Sequence, residues 1–427
     1  MNRRTMLQMV ATAAAHAVSS ASARAQAPAA AASDINSKLR TLAAANRFPL
    51  TRDGEVFSGP GWDWLLAESK QSRFTAVGEE HGLAVIPQAT SALYKAAEYE
   101  RLSVEISPPT AQRMDTVLSQ GGLSKFSTVF GAAPISVAFY SNQEDAALLA
   151  TVRATSTDPH PVIWGTDYEV ANDRTLLREL ATLAPPGAAK DIAREILAAS
   201  EQSWDKAMAT KNPGLIWTFC GDPALFDRLR AAWPQPDPDS TSIIDCLQRT
   251  LRINALWLAG DAFGSNQLRA TWQRQNFLRY IHTEKLAGRN PRVLFRYGEE
   301  HVLRGVSQMG GFDLGSLIGE LAAIDGGTSF HLMMIAGHGS TRAALDPTVL
   351  AYKPVPSNGS AYPWLQPFVE SASEGTTVFN LRPLRPFVAD IANRASTALL
   401  RTIIGYDALV IFPNAKPATP FPANSGL

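Results

Sequence analysis

Short runs of apolar, β-branched and aromatic residues alternate with stretches of helical spacing along most of the chain. Phe74-Thr75-Ala76-Val77 reads as a buried strand ending at Gly78, and Ile86 to Glu98 then sets Ala89, Leu93, Ala96 and Ala97 at helical intervals. Leu102 to Ile106 is the next strand, stopped by Pro108-Pro109, and Val162-Ile163-Trp164 is a third, ending at Gly165. Val293-Leu294-Phe295, Leu332 to Ile335, Thr377-Val378-Phe379 and Ala408 to Phe412 read as further strands. Strands separated by helices predict an α/β fold, a mainly parallel sheet with helices on both faces. The stretch 172–288 departs from this alternation. It is helical almost throughout, with Leu176, Leu180, Ile192, Ile196, Leu225, Leu229, Leu251, Leu256 and Leu278 at core spacings, and is expected to be a helical insertion or lid. Its tryptophans, such as Trp204, Trp217 and Trp272, are expected to pack between helices, with some lining an apolar cleft beneath the lid. The expected organisation is an export signal at 1–25, a flexible leader at 26–40, and two halves of the α/β domain at 41–171 and 289–427 around the insertion.

Polar residues break this pattern where strands end. The tetrapeptide Gly-Glu-Glu-His occurs twice, at Gly78-Glu79-Glu80-His81 and Gly298-Glu299-Glu300-His301, each time directly after a buried strand. Histidine supplies a base or a metal ligand near neutral pH, and adjacent carboxylates fix its tautomer, raise its basicity or bind the same metal. Glu79, His81, Glu105, Asp167, Glu299, His301, His338 and Arg382 all fall at or just beyond a strand's carboxyl end. In a parallel sheet those ends form one rim, where ligand crevices open. Glu105 is the sharpest oddity, because Val104 and Ile106 beside it mark a buried strand, where an unpaired carboxylate costs several kcal/mol or takes up a proton. It needs a partner such as His81 or a metal.

No Gly-x-Ser-x-Gly elbow, His-Glu-x-x-His helix, P-loop or Gly-x-Gly-x-x-Gly follows a strand. What remains is water activated by a histidine and carboxylate pair, or by a metal held between two histidines and acids, and both predict hydrolysis. The expected catalytic set is His81, Glu79, Glu105, His301 and Glu299. Glu80, Asp167, Glu300, His338 and Arg382 are expected to contact substrate. No metal is required in this reading; His81, Glu105 and His301 would be the ligands in a metal-dependent one.

Composition narrows the partners. Lys+Arg and Asp+Glu are equal at 39 each, with no basic run, which argues against nucleic acid and against an anionic membrane surface. No stretch of about 18 uninterrupted apolar residues is present, so no membrane span is expected. Asn2-Arg3-Arg4-Thr5-Met6-Leu7, a mild apolar stretch and Ala23-Arg24-Ala25 resemble a twin-arginine export signal, placing the mature protein in the periplasm or outside the cell. Cys220 and Cys246, the two cysteines, are not in Cys-x-x-Cys spacing; they either pair after export or lie unpaired in the core. The expected partner is a small-molecule or peptide substrate, and the oligomeric state is open.

The strand-Gly-Glu-x-His-Gly motif, the Glu in the next strand, Gly165-Thr166-Asp167, the late strand-Gly-x-x-His motif and Tyr406-Asp407-Ala408-Leu409 resemble the erythromycin esterase-like superfamily. That group also takes in haem-uptake proteins and TraB/TIKI-type peptidases. The resemblance runs from about Phe74 to Phe412. It implies an esterase in which His81 is the general base on water, Glu79 and Glu105 orient it, and His301 polarises the carbonyl or stabilises the oxyanion. Esterases of this group have two residues between the motif Glu and His, whereas only Glu80 separates Glu79 from His81, a spacing closer to the haem-uptake group. The Gly-to-His spacing also fits the peptidases, whose motif residues are thought to bind a divalent metal. The resemblance therefore implies two alternatives to the esterase: a divalent-metal-dependent peptidase, or a haem- or iron-binding protein without turnover.

Overall fold

In the computed structural model, which describes residues 29–130, 136–346, 351–372, 375–389 and 396–421, the strands are β1 (Arg47–Pro49), β2 (Thr51–Asp53), β3 (Val56–Ser58), β4 (Phe74–Glu79), β5 (Arg101–Val104), β6 (Ile163–Gly165), β7 (Val293–Gly298), β8 (Ser329–Ala336), β9 (Ser340–Asp346), β10 (Ala351–Ser357), β11 (Thr377–Asn380) and β12 (Ala408–Phe412). Eight of them form one sheet in the order β1-β11-β12-β8-β4-β7-β5-β6. From β12 to β6 every pairing is parallel, while β11 runs antiparallel to β12 and β1 antiparallel to β11. The expected export signal, 1–25, lies outside the described residues. A helix, α1 (Ala29–Ala45), runs through most of the segment expected as a leader, and its Leu39 and Ala43 are buried.

The central strands are buried along their whole length, so both faces of the sheet carry apolar side chains. Alternation along each strand decides which face a residue joins. Val77, Leu102, Val104 and Leu294 meet Ile86 and Leu93 of α2 (Val85–Ala96), Met114 and Leu118 of α3 (Pro108–Gly121) and Leu149 of α4 (Gln143–Ala154). Phe74, Ala76, Val293 and Phe295 point the other way. They meet Phe277 and Ile281 of α5 (Ala262–Leu286) and Leu314 and Ile318 of α6 (Leu314–Ile324). Each fully buried Phe, Leu or Ile contributes roughly 1.5–3 kcal/mol, so this two-sided burial fixes the register of the strands that carry the site.

Helices fill the stretch from Asp173 to Leu286, and α5 is the last of them. Asp261 caps α5 by accepting from Gly264 N at 2.7 Å, and the helix then descends onto the carboxyl rim of the sheet. Among the described residues no helix is long and apolar enough to cross a membrane. Cys220 and Cys246 are both unpaired, the first exposed and the second buried, so neither a bond between them nor a pair of core thiols is present.

Candidate active site

β4 and β7 are hydrogen-bonded neighbours with Glu79 opposite Gly298, so the two Gly-Glu-Glu-His motifs, far apart in sequence, lie side by side. β5 flanks β7 and delivers Glu105; β6 flanks β5 and delivers Asp167. Glu105 stands between the two histidines. Its Oε2 is 3.5 Å from His81 Nε2 and its Oε1 is 3.3 Å from His301 Nε2. The outer nitrogens are fixed by other acids: His81 Nδ1 lies 2.7 Å from Glu79 Oε1, and His301 Nδ1 lies 2.7 Å from Asp313 Oδ2. An ionised carboxylate only accepts, so Nδ1 carries the proton in both rings.

Two buried guanidiniums hold the acids. Arg269, two turns into α5, donates from Nη2 to Glu105 Oε1 at 2.7 Å and from Nε to Asp167 Oδ1 at 3.0 Å. Arg296 on β7 grips both oxygens of Glu79, at 2.6 Å from Nε and 3.0 Å from Nη2. Gly298 N donates to Glu105 Oε2 at 2.6 Å. On its open side His81 is covered by Phe139, whose ring stacks on the imidazole at 4.0 Å and 13°. Phe139 holds φ at 64°, a left-handed conformation that a bulky residue adopts only when its surroundings impose it.

Burial lowers the His301 imidazole, and so does Arg269, but Asp313 and Glu105 outweigh both and push it up to about 10. His301 is therefore an imidazolium at neutral pH. Burial also opposes the charge on His81, yet the Glu79 hydrogen bond and the charges of Glu105, Glu79 and Glu299 raise it above the ordinary histidine value. Burial raises Glu105, but His301, His81 and Arg269 together hold it well below the usual carboxylate range. Glu299 is half-buried; burial first, and Glu300 second, push it up to about 8, so it is mostly protonated at neutral pH.

Gly298 makes room for the base. A Cβ there would stand 2.9 Å from His81 Nε2. Gly298→Ala is expected to displace the imidazole and cut turnover by about 10- to 100-fold, since a misplacement of about 1 Å costs that much. Unfolding curves beside the kinetics separate this from a loss of stability.

Of the residues expected from the sequence, Glu79, His81, Glu105, Asp167, Glu299 and His301 come together. The others do not. Glu80 is turned inward, accepting from Ala336 N at 2.9 Å and from Ser357 Oγ, so it ties β8 to the β9/β10 hairpin and does not face a substrate. Glu300 accepts from the backbone and side chain of Gln308 at 2.6 and 2.8 Å, fixing the loop after the second motif. His338 is exposed in the turn between β8 and β9, and its side chain bonds none of the cluster. Arg382 lies at the opposite rim. Because β11 is antiparallel, its carboxyl end meets the amino end of β12, where Arg382 pairs with Asp407 at 3.1 Å and Glu68 at 2.8 Å. Arg269, Arg296, Asp145, Asp313 and Phe139 were not anticipated. Only Arg296 left a signal, a charge inside the apolar run Phe295 to Tyr297.

A metal bound by His81, Glu105 and His301 does not fit this arrangement. His301 faces a carboxylate from each nitrogen, while Glu105 is taken by Arg269 and Gly298 N. Among the described residues no group of three or more His, Cys, Asp and Glu side chains is arranged to hold a metal ion. A haem at His81 fits no better, because the side chain is only 13% exposed and Phe139 stacks on its ring at 4.0 Å, too closed a position for a porphyrin.

No family model matches the chain, and no curated protein matches it in sequence. Solved structures do share its fold. A mutant of the erythromycin esterase EreC in its open conformation superposes with a TM-score of 0.58 at 13% identity, covering 88% of this chain and 99% of that one. A succinoglycan biosynthesis protein gives 0.57 at 10% identity, and a Bacillus cereus protein 0.56 at 11%, each covering 90% of this chain and 99% of the other. The resemblance read from the strand-end motifs therefore holds at the level of architecture: this chain has the α/β fold of the erythromycin esterase structures.

Proposed function

We propose that the protein is an exported hydrolase that opens an ester or amide bond in a small to medium apolar molecule, with water activated by His81. The observation that supports this is the asymmetry of the two histidines. Both rings face an acid from each nitrogen, but His301 is only 5% exposed and lies 3.3 Å from Glu105. His81 keeps 13% of its side chain exposed, its Nδ1 is held by Glu79, and its Nε2 stands 3.5 Å from Glu105, the longer of the two contacts.

In this reading Nε2 takes a proton from water as the water oxygen bonds to the carbonyl carbon. The bond to the leaving oxygen or nitrogen then breaks, and that atom takes the proton back from Nε2. Glu105 stabilises the imidazolium formed in between, and His301 and Arg269 keep Glu105 ionised for that role. His301 thus acts through Glu105 and not on the carbonyl.

Hydrolysis of a panel of chromogenic esters and amides tests the reading. Only the neutral ring accepts a proton, and His81 is raised, so kcat/KM is expected to increase with pH, with a midpoint above the ordinary histidine value of about 6.5. No turnover across the panel, or a rate independent of pH between about 5 and 9, would overturn it.

A further inference from the structure

Behind Glu79, away from the His81 Nε2 face, lies a buried ion cluster that touches no reacting atom in the mechanism above. Arg296 spans it. One edge of the guanidinium grips Glu79, and Nη1 lies 2.6 Å from Oδ1 of Asp145 on α4. Asp145 Oδ2 accepts from Asn142 Nδ2 at 2.8 Å. Tyr140 lies against the guanidinium at 4.8 Å and donates to the Arg296 carbonyl at 2.7 Å. Arg296 and Glu79 are each 2% exposed at the side chain and Asp145 1%. A single oxygen, Glu79 Oε1, is shared by Arg296 and His81.

We propose that Arg296 and Asp145 are positioning residues that set the basicity of His81 through Glu79, an inference that rests on His81 being the base. A guanidinium paired with Glu79 alone would leave that pair neutral and weaken its pull on the Nδ1 proton. Asp145 draws on the same cation from its other edge, so the three groups together keep one negative charge and Glu79 stays anionic toward the imidazole. In so dry a site each charge is felt by the next, because little solvent screens it. The charges facing His81 at neutral pH are Glu79 from β4 and Glu105 beyond β5, with Glu299 beyond β7 a titratable neighbour that ionises only near pH 8; those facing Asp145 are Arg296 and Glu79. Burial, with Glu79 adding to it and Arg296 opposing, pushes Asp145 up to about 6, so it carries its charge at neutral pH and loses it in mild acid.

Asp145→Asn tests this in the full chain, since the amide keeps the shape and removes the charge. The readout is the His81 imidazole titration, followed by NMR in histidine-labelled protein and assigned by its loss in His81→Gln, beside the pH profile of ester hydrolysis. With Asp145 neutral, Arg296 weighs more heavily on Glu79. His81 is then expected to titrate about one pH unit lower, the acid limb of the rate to follow it, and Asp145→Glu to move both back. A purely structural role would lower activity without moving either. Should Asp145→Asn not fold, Arg296→Lys asks the same question: it keeps the cation but loses one bond to Glu79, so His81 should titrate higher. An unmoved imidazole in folded, active protein overturns the clamp alone. A shifted imidazole without turnover of any ester upholds the clamp's electrostatics and sinks the hydrolase reading.

Discussion

His81→Ala is expected to lower kcat/KM for ester hydrolysis by about 10²–10⁴-fold, the range that a positioned general base supplies. The fold should survive the change. Removing this ring leaves no buried charge alone: Glu79 keeps both bonds to Arg296, and Glu105 keeps Arg269 and Gly298 N. What is lost besides the base is the stacking partner of Phe139, at a partly exposed position where a cavity can fill with solvent. His301→Asn should behave differently. It leaves Asp313 and Glu105 facing a neutral side chain, so its loss of activity is expected to come with a loss of stability. Rates and unfolding midpoints measured on both variants separate the roles. A folded His81→Ala protein within about threefold of wild type would remove His81 as the base, since a positioned base supplies far more.

How much of this could be read from the chain depends on the kind of signal. The strands that carry the site were legible because each is a short apolar run buried on both faces, as Phe74 to Val77 and Val293 to Phe295 are. Glu105 stood out for the same reason, and Arg296 could have, being a charge flanked by Phe295 and Tyr297 in a buried strand. Direction was not legible. Nothing in Thr377 to Asn380 says that this strand runs against its neighbour, and that alone carries Arg382 to the far rim. The β9/β10 hairpin was also missed, because Ala351–Ser357 holds two prolines and little apolar surface and resembles a loop. Neighbourhood was hidden most of all. Arg269 lies 164 positions from Glu105 on a helix whose sequence looks like ordinary helix packing, and only the descent of α5 onto the rim gives it a role.

That role makes Arg269→Met the substitution expected to cost most in stability, about 3–5 kcal/mol, the range for breaking a buried ion pair from one side. Arg269 is 11% exposed at its side chain, Glu105 2% and Asp167 3%. Glu105 would retain His301 and Gly298 N, but Asp167 would keep only the amide of Tyr168 at 2.8 Å and would have to take up a proton or draw in water. The Arg269→Met, Asp167→Asn double variant should recover part of the loss, because the stranded charge is then gone. Urea unfolding of the two single variants and the double variant measures that coupling. The same cation also joins the helical segment to the sheet, with Trp272 Nε1 donating to the Asp167 carbonyl at 3.1 Å three residues further along the helix face. If Arg269→Met costs less than about 1 kcal/mol, the rim is held by apolar packing of α5 alone, and the guanidinium serves the charge state of Glu105 and not the fold.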